Sequence, residues 1–278
     1  MAKKRRTSQP VRRPLEPTIM TELGALTAAP PPVGDFDPAG EWTASYRIWT
    51  CYGHRGRANR NHGVLRIARK PGGATQRLRI EQTVRNSQGK LHTVRAELRC
   101  RIDAIASPTD WTVTSRFRGA RMAGLPETAL QQSGRIRGST WQIAVGAETS
   151  SRKIDGPLTA DWCLFEAVQR LAPRTGQPLA FDVLEGLTAL KTDHRLRYRD
   201  KRRVRWGPQE LSLHCFAQVG RGVYPYEYWL DDRRRLLLVT TGPRTYILDP
   251  QAEKTFRPGT GKRPRSARAA KQAKGADR

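Results

Sequence analysis

The stretch LTADWCLFEAVQRLA, Leu158 to Ala172, decides the fold because it breaks a rhythm kept almost everywhere else in the chain. Its apolar residues recur at intervals of three and four, with Trp162, Phe165 and Val168 on one stripe, as an amphipathic helix requires. Thr159 or Asp161 can cap the start, and Pro173 forbids continuation, so a helix is expected over Ala160–Leu171. On both sides the period is two. EWTASYRIWTCY places Trp42, Ala44, Tyr46 and Ile48 on one face and Thr43, Ser45 and Arg47 on the other. GVLRIARK, QRLRIEQTVRN, LHTVRAELRCRID, DWTVTSRFRG and GSTWQIAVG continue the pattern, divided by Gly-, Pro- and Asn-bearing turns. In ARMAGLPETALQQSGRIR only a short strand at 134–137 is expected.

After the helix the same rhythm returns in PLAFDVLEGL, ALKTDHRLRYRD and QELSLHCFAQVG. It closes in PYEYWLDDRRRLLLVTTGPRTYILDP, Pro225 to Pro250, where DDRRR makes a turn and Tyr226 and Tyr228 share a face. Strands of this spacing, half buried and half charged, belong to antiparallel sheets with one wet face. The expected fold is therefore mainly β: a single strongly curved antiparallel sheet, a half-barrel, wrapped around one main helix. Its domain should span 41–250. Residues 1–40 are expected as a disordered, basic, proline-rich arm and 251–278 as a disordered basic tail.

The order of elements resembles a group of uncharacterised bacterial envelope proteins with a lipoprotein-carrier-like half-barrel. The cues are Tyr228-Trp229-Leu230-Asp231-Asp232 followed by Leu236–Val239, and the insertion LTADWCLFEAVQRLAPRTGQPLAFDVLEG. The resemblance covers about residues 41–250. It implies a non-catalytic ligand-holding or scaffold protein that receives an apolar or lipid-like chain in its concavity. Trp42, Tyr46, Trp162, Phe165, Val168, Tyr226 and Tyr228 are the residues expected to line or brace that concave face.

Charge bounds the partners. The 278 residues carry 51 Lys and Arg against 25 Asp and Glu, a net charge of +26. The tails hold only part of it, so the body is itself basic and attracts anionic polymers or membrane surfaces without sequence preference. Two clusters could grip anions: Arg55, Arg57 and Arg60 in the loop GHRGRANRNHG, and Arg195, Arg197 and Arg199 alternating along one strand face. With Tyr198 and Trp206 interleaved, the second could bind single-stranded nucleic acid by charge and stacking, the rival to an apolar-ligand function.

Catalytic signatures are thin. Cys51, His54 and His62 have no zinc-finger spacing, so no metal site is assigned, and no cofactor is expected. Neighbours on a strand face opposite ways, which separates His214 from Cys215 and Asp193 from His194. No GxSxG, HExxH or P-loop occurs, and a non-enzymatic protein is expected. Cys51, Cys100, Cys163 and Cys215 form no CxxC pair. Nothing reaches the roughly 18 apolar residues of a spanning helix. The basic start, Arg12–Arg13 and Ala28–Ala29 outline an export signal, which would place the protein in the periplasm. Glu16 and Glu22 interrupt it, however, and the segment reads better as an arm.

Overall fold

A computed structural model describes residues 23, 30–31, 34–50, 60–85, 90–118, 128–242 and 244–256, with backbone alone at 60, 61 and 128. Fifteen strands form one sheet. The first half comprises β1 (Trp42–Thr50), β2 (Arg60–Gly72), β3 (Thr75–Arg85), β4 (Leu91–Arg101), β5 (Pro108–Arg118), β6 (Thr128–Arg137), β7 (Thr140–Val145) and β8 (Glu148–Lys153). Then come β9 (Leu158–Ala160) and helix α1 (Asp161–Arg170). The second half comprises β10 (Leu179–Glu185), β11 (Ala189–Trp206), β12 (Gln209–Val219), β13 (Tyr226–Leu230), β14 (Leu236–Thr241) and β15 (Arg244–Leu248), and a helical turn α2 (Ala252–Thr255) follows.

The sheet order is β8-β7-β6-β5-β4-β3-β2-β1-β15-β14-β13-β12-β11-β10-β9. The two halves therefore fan out from the central pair β1 and β15, where Tyr46 lies opposite Leu248 and Ile48 opposite Tyr246. Every pairing is antiparallel except β9 with β10, because α1 is the crossover that joins them and a crossover returns the chain in the same direction. The far parts curl together. Thr159 donates its hydroxyl to the Ile105 carbonyl between β4 and β5, and Gln132 on β6 donates to Leu187 O at 2.8 Å beside β10. The strongly curved sheet around one helix expected from the sequence is the observed architecture.

Within the trough, α1 is buried along its whole length from Trp162 to Gln169. The Phe165 ring sits edge-on to Tyr46, Tyr228 and Tyr246, with centroids 5.7, 6.1 and 5.2 Å away. Cys163 Sγ lies 3.7 Å from Cys100 Sγ on β4, both thiols and both buried. That contact, together with burial, raises the Cys100 thiol well above its ordinary value.

A polar clamp crosses the same core. Arg69 on β2 follows Leu65 and Ile67 onto the inner face and is 2% exposed, while Glu166 on α1 is fully buried. Arg69 Nε donates to Glu166 Oε1 at 2.9 Å and to Gln76 Oε1 at 2.7 Å, and its Nη1 donates to the Ala39 and Gly40 carbonyls. Arg170, one turn further along α1, donates to both Glu166 oxygens and to Asp103 O. Gln169 Oε1 accepts the Leu236 amide of β14 at 3.0 Å, so the helix is tied to both halves of the sheet.

Several expected boundaries move. Thr159 uses its hydroxyl on Ile105, leaving Asp161 as the acidic residue of the first turn, and α1 ends at Arg170, ahead of Pro173. The short strand at 134–137 is the end of β6, which already begins at Thr128. β11 runs on past the expected strand ALKTDHRLRYRD through Lys201–Arg205, and the reversal falls at Gly207. Contacts also run past the expected domain limits. Gly207 N donates to Leu23 O at 2.8 Å, Arg235 to Pro31 O and Arg233 to Gly34 O, while Phe256 beyond Pro250 is buried.

Removing one partner from a buried ion pair leaves the other charge desolvated, at a cost of about 3–5 kcal/mol. Glu166→Gln should lose stability on that scale in denaturant unfolding. Arg203→Gln, whose pair with Glu210 is largely exposed, should change the midpoint little. Equal effects of the two substitutions would remove the clamp from the account.

Candidate cavity at one end of the trough

α1 does not fill the trough. At the end where β1 finishes and β2 begins, and where β3 finishes and β4 begins, a cavity of about 670 Å³ remains. The strand ends supply its walls by simple alternation: Ile48, Val84, Val94, Val113, Phe117 and Leu130 point inward from β1 and from β3 to β6. The remaining wall holds Asp161 and Trp162 of α1, the turn after β10 at Glu185 and Gly186, and Tyr226, Arg244 and Tyr246. Phe117 and Leu130 are each 47% exposed, large apolar side chains turned toward an open space.

Polar and charged side chains share the wall with the apolar ones. His92 Nε2 lies 2.7 Å from Ser115 Oγ, and the His92 ring stacks on Phe117 at 4.1 Å. Burial lowers the imidazole below its ordinary value and the nearby Arg244 guanidinium lowers it further, so it is neutral at pH 7. Asp161 accepts the Trp162 amide at 2.9 Å and the Gly186 amide at 3.2 Å, which staples the helix start to the β10–β11 turn. Even so, burial outweighs those bonds and pushes its carboxyl up to about 7, with the Glu185 charge adding to the rise. Burial likewise raises the Tyr226 and Tyr246 hydroxyls.

Of the seven residues expected on the concave face, Trp162 and Tyr226 border this cavity. Tyr46, Phe165, Val168 and Tyr228 are buried in the packed middle of the trough. Tyr228 also donates to Gln218 Oε1 at 2.7 Å, and Gln218 in turn meets His194. Trp42 packs beside Phe36, its indole nitrogen reaching Pro38 O. Ile48, Val94, Val113, Phe117, Leu130, Arg244 and Tyr246 were not singled out from the sequence. Their signal was available: they are inward-facing residues within a few positions of a strand end on one side of the sheet.

The expected anion sites are divided. Arg55 and Arg57 lie outside the described residues, as do Cys51 and His54, and only the backbone of Arg60 is described. Arg195 and Arg197 are exposed and have no ion-pair partner among the described residues, whereas Arg199 pairs with Glu227. The stacking half of the nucleic-acid expectation loses a member, because Trp206 is only 2% exposed and cannot offer its ring to a base. His214 and Cys215 diverge: His214 meets Tyr198 and Asp232, while the Cys215 thiol is buried and raised far above its ordinary value by that burial.

No family model matches the sequence, and no curated protein does. Among solved structures the fold is similar to the beta-barrel-like protein of domain of unknown function DUF1849 from Brucella abortus. The TM-score is 0.50 at 8% identity, over 76% of this chain and 96% of that one. The class is thus a β-barrel-like fold built on an open curved sheet, and the likeness is one of fold.

Asp161 binds its proton more tightly in the fold than in the unfolded chain, where its value is near 3.8. A raised acid favours the fold below that ordinary value, and the contribution is lost as pH rises through the folded value. The stability of the native protein relative to Asp161→Asn should therefore fall between about pH 4 and about pH 7 and then level off. Parallel urea-midpoint profiles for the two proteins would remove the burial argument.

Proposed function

We propose that the protein is a non-enzymatic binding protein that holds an apolar or amphipathic ligand in the cavity beyond the start of α1. The observation that carries this reading is the exposure of Phe117 and Leu130 on the wall of a 670 Å³ space. Cavities for small ligands run from about 300 to 1,000 Å³ and combine apolar walls with polar groups that fix orientation; this one has the size and both kinds of wall. Burying two such side chains under a ligand would return roughly 25 cal/mol for each Å² removed from water. The sequence's likeness to lipoprotein-carrier half-barrels supports the same choice, since those too would receive an acyl chain in a concave sheet.

A second reading, binding of an anionic polymer on the outer surface, rests on the net charge of +26 and on Arg195 and Arg197, which have no ion-pair partner among the described residues. It is the weaker one, because much of the outer charge is matched across strands: Arg66 faces Glu81, Arg79 faces Glu97 and Arg99 lies against Asp110.

Displacement of a fluorescent fatty acid from the purified protein tests the first reading. Leu130→Asp puts a charge on the cavity wall at a half-exposed site, so the melting temperature should hold while probe affinity drops at least tenfold. An unchanged affinity, or binding that vanishes with salt and ignores the substitution, would favour the outer surface.

A further inference from the structure

The cavity wall carries charges of both signs, and they are not equally engaged. Asp161 spends both carboxylate oxygens on backbone amides, those of Trp162 and Gly186. Glu185 lies 3.8 Å from Lys191 Nζ. Asp161 is therefore held by the fold, while Glu185 is half exposed with Lys191 as its ion-pair partner. Arg244 differs: it begins β15 opposite Thr50, on the inner side with Tyr246, and its side chain is exposed. It leans toward the Tyr246 hydroxyl and has no carboxylate partner among the described residues. Beside it stands His92, its Nε2 held by Ser115. A guanidinium at the cavity rim that is engaged with the Tyr246 hydroxyl and has no carboxylate among the described residues is a fork of five donors that one hydroxyl does not use up.

We propose that the cavity takes a long-chain anion, its acyl chain against Phe117, Leu130 and Trp162 and its carboxylate or phosphate head on Arg244, with His92 as neighbour. The assignment rests on the binding function proposed above and adds the chemical class of the ligand. The geometry orders the ligand, tail inward along Val94 and Val113 and head at the mouth. Two parallel N–H···O bonds from one guanidinium match either head group, and such charge-assisted bonds are about twice as strong as neutral ones. The basic surface, +26 overall, adds an attraction for anions approaching the mouth.

The test compares oleate, oleyl alcohol, oleylamine and lysophosphatidate as competitors of a fluorescent fatty acid, each below its aggregation limit. Oleate or lysophosphatidate should bind at least tenfold more tightly than the alcohol, and the tighter of the two tells whether the head is a carboxylate or a phosphate. Arg244→Gln should bring the anion down to the alcohol's affinity while leaving the alcohol unchanged and the melting temperature intact. Equal binding of oleate and oleyl alcohol to the native protein would overturn the head-group assignment while leaving the apolar cavity in place. Tightest binding of the amine would overturn it too, giving the head to Asp161 and Glu185. If none of the four compounds displaces the probe and the probe itself does not bind, the binding function fails together with its ligand class.

Discussion

The pairing of Arg69 with Glu166 is the constraint on which the rest of the molecule depends. A helix lying in a curved sheet is held mostly by apolar contact, which is non-directional and tolerates sliding. A buried charge pair does not. Arg69 satisfies its guanidinium on Gln76, Glu166 and two carbonyls, and Glu166 has Arg170 on its other side. Displacing α1 by one turn, about 5.4 Å, would strand both charges in the core. The pair adds little net stability relative to a hydrophobic replacement, but it admits one register of helix on sheet and penalises the others.

That register determines where the empty space is. With Glu166 fixed on β2, Phe165 falls among Tyr46, Tyr228 and Tyr246, and Cys163 falls against Cys100. The middle of the trough is then solid. Arg69 and Gln76 flank the β2–β3 turn, whereas His62 and Val84 sit at the other end of the same hairpin, so the clamp and the cavity occupy opposite ends of the strands. What remains open lies beyond Asp161 and Trp162, where the strands outrun the helix. A binding site so placed needs no strained backbone, only a helix shorter than the sheet that holds it.

Much of this was legible in the sequence, and the failures have local causes. The helix was readable to within one residue at each end because its three-and-four spacing interrupts a long two-residue rhythm. β8, ETSSRK, escaped notice because all six of its residues are exposed and it has no buried face to leave a pattern. β11 was cut short because KRRVR looks like a charged turn, although Val204 keeps the alternation and is buried. The clamp was half legible. Arg69 keeps the two-residue phase of Leu65 and Ile67 and so falls on the inner face, but Glu166 is 97 residues away and nothing local marks the two as partners. Aromatic residues were the natural guess for a binding face, but the largest aromatics are those the core can use best. Tyr46, Phe165 and Tyr228 were accordingly spent on packing, and the cavity was left to residues at strand ends.

In the proposed function, charge and cavity divide the labour of recognition. Ion pairs on the outer face, such as Arg79 with Glu97 at 3.5 Å or Arg203 with Glu210 at 3.7 Å, are exposed to water and worth little individually. The net field they leave is strongly positive and reaches about a Debye length, roughly 8–10 Å in physiological salt, drawing anions of every kind without choosing among them. Choice requires a place where water is displaced and a missing partner is costly, because there a mismatched head group leaves a polar atom unsatisfied. Among the described residues, the cavity wall is where apolar side chains such as Phe117 and Leu130 meet the Arg244 guanidinium. Under the proposed binding function, the exterior would govern how fast ligands arrive, and the strand-end residues around Arg244 which of them stay.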